Sequence, residues 1–189
     1  MKLALVCRGE SAEALLDSFS VERSAVGAEV LKAAGRLTMV ATMRNHTAQA
    51  VRNLFGRLLL GLTPVRKAMV DTMSEVSIGY DHSPLNGPGL HRGDLPAPGR
   101  RLEPVARQTP VGSGNTPRFA LFAAGGSRVS ALAIKFSNLI DAEIRAPLDP
   151  SVILLVRPDG YVACAAEADN VGVITDYLGA IDVAKAVAA

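Results

Sequence analysis

Val152-Ile153-Leu154-Leu155-Val156, then Arg157-Pro158-Asp159-Gly160, then Tyr161-Val162-Ala163-Cys164-Ala165 is the stretch that decides the fold. Five apolar residues in a row, without alternation, suit a strand buried on both faces. Pro-Asp-Gly presets a tight turn, so the second run returns as the hairpin partner of the first. Upstream, Phe119-Ala120-Leu121-Phe122-Ala123-Ala124 is a second continuous apolar run, closed by Gly125-Gly126. Between the two, Ser130 to Ser137 suits a helix and Asp141 to Arg145 a short strand, while Val171 to Val187 suits a terminal amphipathic helix. The order strand, helix, strand, hairpin, helix is that of an α/β domain with a mixed sheet flanked by helices.

The chain ahead of this domain has a different period. From Ser11 to about Thr42, Leu15, Leu16, Phe19, Val26, Val30, Leu31, Leu37 and Val40 recur at helical spacing, with Ser11 as an N-cap. Val51, Leu54, Phe55, Leu58, Leu59 and Leu62 form a second helical stripe, stopped by Thr63-Pro64, and Val65 to Met73 predicts a short third helix. Residues 79–117 are rich in Gly and Pro, which marks a connection, and Leu102 to Val111 is expected to hold at least one edge strand kept at the edge by Pro104 and Pro110. The expected organisation is a helical segment over 1–78, the connection over 79–117 and the α/β domain over 118–189.

With 189 residues, 49% of them apolar, the chain can bury a core, and a net charge of +2 gives no electrostatic footprint for nucleic acid or an acidic membrane. No apolar run reaches the roughly 20 residues of a membrane span and no signal peptide opens the chain, so a cytoplasmic location is expected. Cys7 and Cys164 form neither a disulfide framework nor a metal cluster, and His46, His82 and His91 lack partners at ligand spacing. The expectation is no metal, no nucleic acid and no membrane.

Two stretches carry a resemblance. Lys2-Leu3-Ala4, a polar turn, and Leu15-Leu16-Asp17-Ser18-Phe19-Ser20-Val21-Glu22-Arg23 resemble Trp-Lys-Leu-Ala followed by a helix with Leu-Leu-x-x-Tyr-x-x-Glu-Arg in FAD-dependent aromatic-ring hydroxylases. Leu155 to Ala163 resembles the Val-Arg-Pro-Asp-Gly-Tyr-Val-Ala signature near the C-terminus of their phenol hydroxylase branch, and Gly93-Asp94-Leu95-Pro96 looks like their Gly-Asp-Arg-x-Pro, with Leu95 in place of Arg. The resemblance covers nearly the whole chain but only the last third of such an enzyme, and Met1 stands where the family has Trp. It implies that residues 1–78 are the end of a flavin domain and that the rest is a thioredoxin-like domain, a fold to which the element order also conforms. The parent activity it implies is FAD- and NAD(P)H-dependent hydroxylation of a phenolic or polycyclic aromatic compound.

The chemistry of the parent is not carried by these residues. No Gly-x-Gly-x-x-Gly turn follows a leading strand, so neither FAD nor NAD(P)H is expected to bind this chain alone. Where a thioredoxin-like fold places its reactive Cys-x-x-Cys, the sequence reads Gly125-Gly126-Ser127-Arg128. No nucleophile, base and orienting partner stand together, so no catalytic residue is assigned. Glu22 and Arg23 read as helix packing and capping, Asp159 and Gly160 as turn geometry, and Arg157 and Tyr161 as framing or interface residues. The chain is therefore expected to be a structural or oligomerisation module that pairs with itself through Leu54, Phe55, Leu58, Leu59 and Leu62, or associates with a flavin domain. A stand-alone interaction protein and, more weakly, a thioredoxin-like redox protein are the alternatives.

Overall fold

The computed structural model describes residues 2–9, 13–42, 44–64, 78–90, 92–113 and 115–182. Contacts divide the chain into two compact units, one of Met1–Glu22 with Gly79–Ala189 and one of Arg23–Ile78. Residues 1–22, expected with the helical segment, thus group with the α/β unit.

In the α/β unit, β1 (Phe119–Phe122) and β3 (Val152–Val156) are buried along their whole length, as their unbroken apolar sequence requires. With β2 (Ile140–Arg145) and β4 (Val162–Glu167) they form a four-stranded sheet of order β2-β1-β3-β4. β1 and β2 are parallel, β1 and β3 antiparallel, and β3 and β4 antiparallel. The β3–β4 loop is Pro158-Asp159-Gly160: the Gly160 amide donates to the Arg157 carbonyl at 2.8 Å, and Gly160 has φ 86°. That positive φ and the register shift beside Val156 match a type I turn with a glycine bulge. The helices are α1 (Lys2–Cys7), α4 (Ser127–Lys135) and α5 (Val171–Ile181), α4 starting three residues ahead of its expected position. The part of the terminal helix expected beyond residue 182 lies outside the described residues.

Each face of the sheet has its own apolar cluster. Phe119, Leu121, Ile153 and Leu155 pack with Val129, Leu132 and Phe136 of α4 and just after it, and with Ile174 and Leu178 of α5. On the other face Ala120, Phe122, Leu154, Val156 and Val162 pack under Leu90, Leu95, Leu102, Val105 and Val111. The Gly- and Pro-rich connection is therefore the second covering layer of the sheet.

The edge strand expected within Leu102 to Val111 is not formed; these residues are irregular, and an isolated bridge joins Arg101 to Tyr161. The physical reason lies on both sides. Pro104 and Pro110 donate no amide, and Arg107 sits at φ 65°, outside strand geometry. The exposed edge of β4 is covered instead by residues just upstream: the Gly87 and Gly99 amides donate to the Ala163 and Val162 carbonyls, each at 2.8 Å, and the Ala165 amide donates to Pro88 at 2.9 Å.

The long helix α2 (Asp17–Ala41) follows a 3₁₀ turn, Glu13–Leu16. The second unit holds the continuation of α2 and α3 (His46–Leu60), whose first turn is capped by Asn45, its side-chain oxygen accepting the Thr47 amide at 3.0 Å. The third helix expected over Val65 to Met73 lies outside the described residues.

Candidate functional site

The polar centre of the α/β unit is built on Arg157, the last residue before the β3–β4 turn. Its guanidinium is fully buried, which is costly without anions around it. Nη1 donates to Glu22 Oε1 at 2.7 Å and Nη2 to Glu22 Oε2 at 3.3 Å, a two-point pairing across 135 residues of sequence. Nε and Nη2 also donate to the two oxygens of Asp159, at 3.1 and 2.6 Å. Ser83 Oγ donates to Glu22 Oε1 at 2.6 Å, and Ser83 is itself buried.

Two aromatic rings complete the pocket around the charge. The guanidinium carbon lies 5.9 Å from the Tyr80 ring centre and 5.7 Å from that of Tyr161, and the rings are 4.5 Å apart. Both contacts are within cation–π range. Burial by itself favours deprotonation of Arg157, but the hydrogen bonds and charges of Glu22 and Asp159 outweigh it and hold the guanidinium above its ordinary range. With two carboxylates for one cation and the Ser83 hydroxyl hydrogen-bonded to one of those carboxylates, the cluster is suited to fixing three chain segments together. These are the start of α2, the loop at 80–83 and the β3–β4 turn.

The site residues read from the sequence thus separate. Glu22, Arg157, Asp159 and Tyr161 come together. Arg23, next to Glu22, is exposed. Leu54, Leu58 and Leu62 are exposed in the second unit, 51 to 61% of their surface remaining open, while the side chains of Phe55 and Leu59 lie outside the described residues. Sequence reasoning missed Tyr80 and Ser83, which sit in a polar stretch without periodicity. It treated Asp159 as a turn residue, although a carboxylate two positions after an arginine was a signal for a local ion pair.

The cysteines are free, Cys7 exposed and Cys164 buried in β4. Burial pushes the Cys164 thiol up to about 11, opposite to what a reactive thiolate needs. Tyr177, from α5, donates to the Leu85 carbonyl at 2.8 Å. Among the described residues no three metal-ligating side chains come together, and no helix is long and apolar enough to cross a membrane.

No family model matches the chain. Over 95% of its length it is 27% identical to the 6-methylpretetramide 4-monooxygenase of Streptomyces rimosus, of which it spans 38%. Among solved structures, the anhydrotetracycline hydroxylase of Streptomyces rimosus matches 94% of the chain with a TM-score of 0.63 at 22% identity, and the chain spans 37% of that protein. The chain is thus similar in sequence to a monooxygenase and in fold to a hydroxylase, and it spans little more than a third of the length of each.

Proposed function

We propose that this chain is the C-terminal portion of an FAD-dependent hydroxylase of a polycyclic aromatic compound, and that its own part is structural rather than catalytic. The observation that carries this reading is coverage: nearly all of the chain aligns with a monooxygenase, yet only 38% of the monooxygenase is accounted for. The buried Glu22–Arg157–Asp159 cluster supports it, because it ties the start of α2 to a thioredoxin-like sheet through ion pairs rather than presenting reactive groups. The strand order supports the thioredoxin-like reading. Exposed Leu54, Leu58 and Leu62 on and just after α3 are the surface through which the chain meets a flavin domain or a second copy of itself.

The described residues do not fit FAD. A dinucleotide pyrophosphate needs a glycine-rich turn between a strand and a helix. The β1–α4 turn reads Ala123-Ala124-Gly125-Gly126-Ser127-Arg128-Val129, with its two glycines adjacent, so only one of them can fall on a glycine position of the Gly-x-Gly-x-x-Gly pattern. A redox role is opposed by the same turn, which carries no cysteine, and by the buried, raised Cys164 thiol.

The test is a titration of FAD against the purified chain, followed by flavin fluorescence, with a phenol hydroxylation assay beside it. No saturable quenching and no turnover are expected. A yellow protein on purification, or saturable quenching, would overturn the structural reading.

A further inference from the structure

Arg145, the last residue of β2, is the second buried arginine among the described residues, and its surroundings differ from those of Arg157. Its side chain is 2% exposed, and it lies against the Phe122 ring at 5.6 Å on the face covered by the irregular layer. Nη1 donates to the Thr109 carbonyl. Among the described residues Nε and Nη2 have no hydrogen-bond acceptor. Asp141, four residues back along β2, stands 3.5 Å from Nη2, but that carboxylate is 43% exposed and does not make a hydrogen bond there. A buried cation so poorly served costs stability unless something else accepts its protons.

Arg145 lines a cavity of about 270 Å³. The cavity lies where the connection passes over the sheet, and its walls include Leu102, Val105, Val111 and Phe122. Gln108 also lines it, and its side-chain oxygen is buried without a donor among the described residues. Two carboxylates border the space: Glu103, exposed, and Asp159, already taken by Arg157. Arg101 adds a second cation to the lining.

From this geometry we infer that the cavity beneath residues 102–111 is a binding site for a small monocarboxylate with an apolar body. Nε and Nη2 of Arg145 are closed to solvent, so the covering residues must shift before the carboxylate takes that edge, the fork that pairs two oxygens at once. The apolar body fills the space between Phe122 and the valines. A hydrogen-bond donor on the ligand, where present, meets the Gln108 oxygen. The inference is independent of the hydroxylase reading, since it uses only groups within the α/β unit.

Cyclohexanecarboxylate is a suitable probe, with cyclohexanecarboxamide as its neutral isostere and inorganic phosphate as an anion without an apolar body. Titrations of the full chain, followed by the arginine Nε–H and backbone amide resonances, are expected to show saturable shifts at Arg145 and across 105–111 with the carboxylate. The carboxamide should bind at least about tenfold more weakly, having lost the charge-assisted pair. Arg145→Gln and the cavity-filling Val105→Phe should each weaken binding at least about tenfold. Val105→Phe keeps the test decisive where Arg145→Gln fails to fold. Absence of saturable shifts up to about 10 mM, equal binding of the carboxamide, tighter binding of phosphate, or binding that survives Val105→Phe would each overturn the assignment.

Discussion

Arg157 is the residue on which the largest single effect is expected. Arg157→Met leaves the buried Glu22 carboxylate without its cation, a loss of about 3–5 kcal/mol for a pair of this kind. Urea unfolding should show it as a lower midpoint at unchanged slope. Glu22→Gln with Arg157→Met should recover part of that loss, because the double variant no longer buries an uncompensated charge at position 22; a double variant as unstable as the sum of the two singles would contradict the pairing. Cys164 gives a second residue-level expectation. Cys7 should react with a thiol reagent in the native state and Cys164 only after unfolding. Its folded thiol titrates at about 11 against an ordinary 9.0, so the folded state is disfavoured once the unfolded chain can ionise. The contribution is whole below pH 9, is lost as pH rises toward 11, and should be missing from the pH dependence of the melting temperature in Cys164→Ala. At this scale the sequence allowed Arg157, Asp159 and Tyr161 to be singled out from the turn signature. The arginine's long-range partner Glu22 stood in a separate motif 135 positions away, and nothing in the spacing joined them.

Among the elements, the turns separate backbone strain from steric approach. Gly112 has φ 72°, and a Cβ there would lie 2.0 Å from the Pro158 carbonyl oxygen, whereas one on Gly160, at φ 86°, would meet nothing nearer than 3.9 Å. Gly160→Ala should therefore cost only the left-handed conformation, about 1–2 kcal/mol. Gly112→Ala should cost more, since the 110–113 turn must also move off the β3–β4 loop. Equal melting temperatures for the two variants would count against the close approach. The strands and the β3–β4 hairpin were legible because continuous apolar runs and Pro-Asp-Gly state their requirement locally. The expected strand over 102–111 failed because edge pairing depends on which upstream segment reaches β4 first. Residues 87–88 and 99–102 occupy that edge, and composition does not say so.

For the whole molecule, the proposed association rests on the helical stripe of α3. Leu54→Asp together with Leu58→Asp should shift light scattering of the purified chain toward a monomer, or abolish its capture by a flavin domain of a related hydroxylase, while leaving the melting of the α/β unit unchanged. A chain already monomeric at high concentration and indifferent to a flavin domain would remove the association reading. What the sequence by itself determined was the α/β class, the helical N-terminal part, the hairpin and the lack of a redox cysteine pair, since each rests on periodicity, turn chemistry or residue identity within a short window. The tertiary structure decided the rest. It made the Gly- and Pro-rich connection a covering layer of the sheet, because Leu90, Leu95, Val105 and Val111 find apolar partners only once β1, β3 and β4 are assembled. It also separated the two buried arginines, enclosing Arg157 among carboxylates and leaving Arg145 beside a cavity, because the number of acceptors around a buried charge is set by which distant segments converge on it.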